Sequence, residues 1–314
     1  AGTADVESGR ALLTTDRLRV GSVTKTFTAT AVLQLAETGA LHLSDTVSRW
    51  VPTVPCADSI TVEHLLRHTS GLFNYTDSQA FLALAQSTDK PRIWAPEELV
   101  EYANDDNHLF SPGDGWAYSN TNYILLGMII RKTTQQSLAA VLRQGIFTPL
   151  KMIDTFLDGE EPTASRLVPG YSVHPEDSAQ FIDVSDAMHV SAAWAAGGII
   201  STAENLLTFI RALFEKRLLR PASFSQMTDL IVVADPVYPM VNGYGLGLVS
   251  MEIAGKACYG HVGNIPGYSS LMAHLPDDEA YLVVLMNQNY TLLGNNKINV
   301  EVAAEAILET ISRL

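Results

Sequence analysis

The chain is short of cysteine, of charge and of long apolar runs, and each shortage removes a class of protein. Only Cys56 and Cys258 occur among 314 residues. Their separation matches no zinc spacing and builds no disulfide framework. They read as isolated, partly buried thiols, with a bridge between them as the other option. No run approaches the ~20 apolar residues of a membrane-spanning helix, and Ile124–Ile130 reads as a short buried helix. No signal peptide is visible. Charged residues make up 17% of the chain, with 34 acidic against 20 basic side chains and a net charge of −14. That balance argues against nucleic acid and anionic membrane surfaces as partners. The 8 histidines are scattered. His64 and His68, four apart on a predicted helix, could share a metal, but no carboxylate motif of the HExxH kind accompanies them, so structural roles are expected.

What is present is a hydrophobic content of 47%, enough for a sizeable core. The chain is long enough for one large domain or two intimate ones. Thr24–Glu37 reads as a helix with Phe27, Ala31 and Leu35 on one stripe and Gly39 as its stop. Residues 40–195 read as helices and loops, with Pro96-Glu97-Glu98 as a helix start. Ser201-Thr202-Ala203-Glu204 reads as a capping box. Four strand-like runs follow, Gly243–Ile253, Ala257–Val262, Tyr268–His274 and Tyr281–Met286, as an antiparallel meander. Val300–Leu314 closes the chain as an amphipathic helix.

Ser22-Val23-Thr24-Lys25 carries the chemistry. On a helix, residues i and i+3 share a face, so the Lys25 amine can lie beside the Ser22 hydroxyl. A serine is a weak nucleophile until a base takes its proton, and a lysine serves as base only if burial or a nearby cation lowers its pKa. The helix start also places Ser22 at an electropositive end. Taken alone, a capping serine and a solvated lysine explain the tetrapeptide as well. Two later segments change that weighting: Tyr118-Ser119-Asn120, in a loop before the apolar helix Tyr123–Ile130, and His261-Val262-Gly263, at the end of a strand.

SxxK, then YxN, then a basic residue–x–Gly, in that order, resembles the three-motif signature of penicillin-recognising serine enzymes. The chain resembles the class C β-lactamase and D-alanyl-D-alanine peptidase superfamily (peptidase family S12). With His in the third motif it is most similar to the Streptomyces-type DD-peptidase and to the D-aminopeptidase, D-amino-acid amidase and alkaline D-peptidase branch. His64–Leu72 (HLLRHTSGL), Tyr118–Tyr123 (YSNTNY), Gly243–Leu248 (GYGLGL) and Gly260–Tyr268 (GHVGNIPGY) extend the resemblance over nearly the whole chain.

The resemblance implies an α/β fold of the β-lactamase/transpeptidase type, an antiparallel sheet flanked by helices. Residues 1–40 and 196–314 are expected to form the sheet domain and 41–195 a mainly helical domain, with the active site in the cleft between. Ala1–Val6 resembles the family's second strand, so a helix and strand are expected before it, in a usually exported protein that is secreted or periplasmic. Ser22 is then the nucleophile, Lys25 or Tyr118 its base, and His261 a donor facing Tyr118. A phenol near ~10 must be lowered to serve, which Lys25 beside it would do. Asn120 would hold the substrate amide and keep Lys25 placed. The backbone N–H groups of Ser22 and Asn264 would form the oxyanion hole. Val262, Gly263 and Asn264 would line the substrate, Trp194 one cleft wall or else the core, and Phe73 and Tyr75 the other wall.

No metal or organic cofactor is implied. In the Streptomyces-type DD-peptidase, threonines flanking the third motif's glycine and an arginine on the preceding strand hold the substrate's terminal carboxylate. Here Val262 and Asn264 stand at the threonine positions, and Val249, Ser250 and Met251 offer no arginine, leaving only a distant one such as Arg67 or Arg92. The expected activity is therefore hydrolysis of D-residue peptides, amides or esters through a Ser22 acyl-enzyme. The alternatives are a penicillin-binding D-alanyl-D-alanine carboxypeptidase, a carboxylesterase, or a weak β-lactamase. Outside the enzymes stands an inactive homologue that binds peptidoglycan or a protein. Intact Ser22, Lys25 and Tyr118 weigh against that last reading.

Overall fold

The computed structural model describes residues 2–86, 92–104, 108–162, 167–174, 180–233, 240–288, 291–293, 296–298 and 300–311. A hairpin of β1 (Thr3–Asp5) and β2 (Arg10–Ala11) comes first, then β3 (Leu18–Arg19) and a 3-10 turn, Gly21–Val23, that runs into α1 (Thr24–Glu37). Helices α2 (Val62–Arg67), α3 (Gln79–Gln86), α4 (Pro96–Asn104), α5 (Asn120–Thr134) and α6 (Leu138–Leu142) follow. Next come short strands β4 (Phe156–Leu157), β5 (Tyr171–Val173) and β6 (Phe181–Asp183), the one-turn helix α7 (Trp194–Gly197) and β7 (Ile199–Ser201). Helices α8 (Ala203–Phe214) and α9 (Pro221–Met227) lead to β8 (Ile231–Val232), β9 (Val241–Tyr244), β10 (Val249–Ile253), β11 (Lys256–Ile265), β12 (Tyr268–Leu275) and β13 (Ala280–Met286). A hairpin of β14 (Thr291–Leu293) and β15 (Asn296–Ile298) precedes α10 (Val300–Ile311).

The main sheet has six strands in the order β13-β12-β11-β10-β9-β8, every neighbouring pair antiparallel. This is the mixed helix and antiparallel-sheet architecture that the sequence implies. Several details differ. The run Gly243–Ile253 is two strands, because the turn at Gly245–Leu248 reverses the chain; Gly247 sits there at φ +72 against α1, and its carbonyl accepts the Thr26 hydroxyl at 2.9 Å. The strand of the third motif continues to Ile265, pairing with β12 throughout, so His261-Val262-Gly263 is internal to it. β1 pairs with β2 in a sheet of their own and does not extend the six-stranded sheet. The cap of α8 is Thr202, whose hydroxyl accepts the Asn205 N–H, while Ser201 still belongs to β7. Both cysteines are free, Cys56 exposed and Cys258 buried.

Helix α1 is buried on all sides over Thr24–Leu33, not on one stripe. That is possible because its threonines are satisfied, as buried hydroxyls must be. Thr24 accepts the Ile199 N–H, Thr28 donates to Ala195 O, and Thr30 donates to Thr26 O. The helix is thereby bonded to the segments on either side of the site. Gly127 explains how α5 comes close to α7: a Cβ there would lie 2.6 Å from the Ala195 Cβ and 2.7 Å from the Trp194 ring.

Candidate active site

The first three residues of interest meet at the start of α1. The Lys25 amine lies 3.0 Å from Ser22 Oγ, 2.7 Å from Asn120 Oδ1 and 2.8 Å from Ala196 O. Asn120 reaches it because it is the first residue of α5, and its backbone N–H is held by Asn74 Oδ1 at 2.9 Å. Lys25 is fully buried, and among the described residues no carboxylate forms an ion pair with it. Desolvation holds its pKa well below the ordinary lysine range. The three contacts suit a neutral amine: two N–H groups go to Asn120 Oδ1 and Ala196 O, and the lone pair is left to accept from the serine hydroxyl. The Tyr118 ring centroid is 4.8 Å from the same nitrogen.

The third motif supplies a bare strand edge. Pairing of β10 with β11 ends at Val249 opposite Gly260, so residues 261–265 have no β10 partner. That edge abuts the turn carrying Ser22. A Cβ on Gly21 would fall 2.9 Å from Asn264 N, and one on Gly263 would fall 2.1 Å from Val20 O and 3.0 Å from Ser22 N. Glycine at both positions lets two backbones touch. Ser270, opposite Gly263, locks the contact by donating to Val20 O at 2.7 Å. Asn264 is exposed beside it.

Other candidates are placed differently. His261 does not offer a donor to Tyr118: its Nε2 meets the Tyr244 hydroxyl at 3.2 Å and its Nδ1 meets Val262 O at 2.6 Å, in a buried setting. Val262 points to the opposite face of the sheet, as alternation along a strand requires. It is 4% exposed and packs with Leu271, Val284 and residues of α10. A hydroxyl at that position would therefore be buried, not offered to substrate. Trp194 belongs to the core, with its indole N–H donated to Glu160 Oε1 at 2.7 Å. Tyr75 is also core, its hydroxyl donated to Ala192 O, while Phe73 is half-buried and its carbonyl accepts from Ser119 and Thr121. Arg67 is tied to Glu63 and Asp229, and Arg92 to Glu98. His64 spends Nδ1 on the Thr61 N–H at the start of α2, so it is not paired with His68 around a shared ion.

Sequence reasoning missed His68 and Tyr244. Both stand in segments whose resemblance was noted, HLLRHTSGL and GYGLGL, but spacing along the chain does not say that they touch. In the structure the Tyr244 hydroxyl joins His68 Nε2 at 3.0 Å to His261 Nε2 at 3.2 Å. Burial, and then the Lys25 charge, hold both histidines below the usual range, His261 at about 3.

A pH dependence follows. Unfolded histidine titrates near ~6.5. Between that value and about 3, the unfolded chain binds a proton that folded His261 refuses, and His68 acts in the same direction. The histidines' contribution to stability is therefore full above pH ~6.5 and falls as pH drops, by up to ~1.4 kcal/mol per pH unit for a group that stays neutral in the folded chain. Urea titrations should show a loss of about 1.5 kcal/mol between pH ~6.5 and ~5 from His261, with His68 adding in the same direction. His261→Asn should make that slope shallower, and an unchanged slope would show that His261 is not buried neutral.

A buried lysine beside a serine, an asparagine that holds it and a bare strand edge meet in a β-lactamase-type fold. Residues 1–306 match the family model described as Beta-lactamase, and the chain belongs to that family. It is similar to penicillin-binding protein 4* of Bacillus subtilis (strain 168), at 30% identity over 302 residues; the match spans 91% of this chain and 64% of that protein, less than two thirds of its length. Among solved structures it resembles a D-stereospecific amidohydrolase from Streptomyces sp., at 38% identity and TM-score 0.78, over 87% of this chain and 82% of that one. It also resembles the D-amino acid amidase from Ochrobactrum anthropi SV3 complexed with L-phenylalanine amide, at 29% identity and TM-score 0.90, over 100% and 89% of the two chains. Among the described residues no helix is long and apolar enough to cross a membrane.

Proposed function

We propose that the protein hydrolyses amides, esters or short peptides with a D-residue on the acyl side, through an acyl-enzyme on Ser22. The observation that carries this reading is the buried Lys25 amine, 3.0 Å from Ser22 Oγ and without an anionic partner among the described residues. Such an amine takes the serine proton as Oγ attacks the carbonyl carbon. Tyr118, beside the same amine, is the second group able to carry that proton. The oxygen that becomes negative is received by the N–H groups of Ser22 and Asn264, whose backbones are brought together by Gly21 and Gly263. The proton then passes to the leaving nitrogen or oxygen, and water attacks the acyl-Ser22 ester to release the acid and free the serine. Similarity to a D-stereospecific amidohydrolase and a D-amino acid amidase supports D-selectivity. Export is part of the proposal, resting on the family resemblance and on a net charge of −14 that suits a chain in the medium.

The site's chemistry also bears on the leaving side. Val262 is turned away, and Arg67 and Arg92 are engaged with carboxylates elsewhere. A free terminal carboxylate therefore gains little here. Two comparisons of kcat/KM test both halves. D-Phenylalanine amide should exceed its L-enantiomer by at least tenfold, and amidating the terminus of a D-Ala-D-Ala peptide should leave its rate unchanged or raise it. Equal rates for the enantiomers would remove D-selectivity. Preference for the free acid by about a hundredfold, ~2.7 kcal/mol, would make the carboxypeptidase reading the better one.

A further inference from the structure

We infer that His68 is a positioning residue for this reaction, holding the Tyr118 ring in place and tying the segment of the second motif to the strand of the third. The inference rests on the Ser22 reading above and adds to it a residue that touches neither Ser22 nor Lys25.

His68 is fully buried and ends α2 in the left-handed conformation, at φ 61. A buried imidazole is costly unless both of its nitrogens are satisfied. Here they are, and in opposite senses. Nδ1 receives the Ser119 N–H at 3.2 Å and faces the Asn122 amide nitrogen at 3.0 Å. An N–H donor cannot be met by another N–H, so Nδ1 is unprotonated and the ring proton is on Nε2. Nε2 gives that proton to the Tyr244 oxygen at 3.0 Å. Tyr244 in turn donates to His261 Nε2 at 3.2 Å, which leaves the His261 proton on Nδ1, directed at Val262 O at 2.6 Å. The result is a hydrogen-bonded chain from the main chain beside Tyr118 to β11, with Tyr244, which is also bonded to the Tyr123 side chain, at its centre.

The same imidazole lies against Tyr118, ring centroids 4.4 Å apart and planes tilted by 34°. It is bonded to the residue that follows Tyr118 and packed on Tyr118 itself. A histidine serving only the fold of its own loop would need neither contact. Loss of the chain should let the Tyr118 ring shift relative to Lys25 and Ser22, and displacements near 1 Å at a reacting group cost about a hundredfold in rate.

The test uses Tyr244→Phe, which keeps all the rings and cuts the link between the two histidines, and His68→Asn, which keeps an acceptor for the Ser119 N–H but loses the stacking and the bond to Tyr244. Turnover of a D-amino-acid ester is normalised to active sites titrated with a fluorophosphonate. Each variant should lower kcat by ~10- to 100-fold with KM within about threefold. In a Tyr118→Phe background, where the hydroxyl to be positioned is gone, the same substitutions should cost less than about threefold. Loss of equal size in both backgrounds, or kcat within twofold of wild type for Tyr244→Phe, would overturn the assignment. If His68→Asn does not fold, Tyr244→Phe decides alone. A wild-type protein that fails to label with fluorophosphonate at Ser22 would refute the functional reading, a result separable from the loss of coupling tested here.

Discussion

Lys25→Met is expected to lower kcat/KM by ~10²–10⁴, the range for loss of a general base, while leaving the protein folded. The two effects separate because burial penalises the lysine charge while the site needs its lone pair. Methionine matches the length and volume of the side chain and removes the desolvation cost of a buried ionisable group. The cost on the other side is the loss of a donor to Asn120 Oδ1 and Ala196 O, about 1–3 kcal/mol for each acceptor left unpaired. The pH profile gives a second reading. A base must be deprotonated, so wild-type kcat/KM rises with pH through the Lys25 titration and then levels, with that limb well below the ordinary lysine range. Lys25→Met should lose the limb together with the rate. Activity within threefold of wild type, or an unchanged limb, would pass the proton to another group, with Tyr118 first in line.

Gly263→Ala should be as damaging by a different route. The new Cβ would lie 2.1 Å from Val20 O and 2.4 Å from Ser270 Oγ. Ser270 can rotate, but Val20 O is main chain, so β11 must move away from the Ser22 turn. Overpacking of this kind costs ~1–3 kcal/mol. The larger effect is on kcat: if Asn264 N–H withdraws from the position beside Ser22 N, one oxyanion donor is lost, worth ~10²–10³. Thermal unfolding and single-turnover acylation measured on the same preparation separate these effects. Near-wild-type acylation would show that the approach of Gly263 to Ser22 is not what assembles the site.

The sequence disclosed the parts of the site that lie close together along the chain or carry unusual residue types. Ser22 and Lys25 are one helical turn apart, and the bounds of α1 follow from its pattern and Gly39. The antiparallel meander was legible from strand-like runs between turns. What was not legible depends on which way a side chain points after the chain has folded. Val262 looked like a substrate contact because it neighbours His261, but alternation turns it into the core beneath α10. Tyr75 looked like a cleft wall and Trp194 like a wall or core, and both are held in the core, each with a hydrogen bond from its polar end. For His68 a structural role was expected, but its partners, Ser119, Asn122 and Tyr244, come from distant segments that spacing along the chain does not name. The self-paired β1–β2 hairpin was hidden for a similar reason, since strand patterning does not name the strand's partner.

Acylation of Ser22 is the claim on which all the others depend. Intact-mass spectrometry of the protein, quenched in acid during turnover of a slow D-amino-acid ester, tests it most directly. The expected result is a mass gain equal to the acyl group, mapped by digestion to the peptide containing Ser22, chased away by longer incubation and missing in Ser22→Ala. An unmodified mass throughout turnover, or an acyl group on any other residue, would contradict the account.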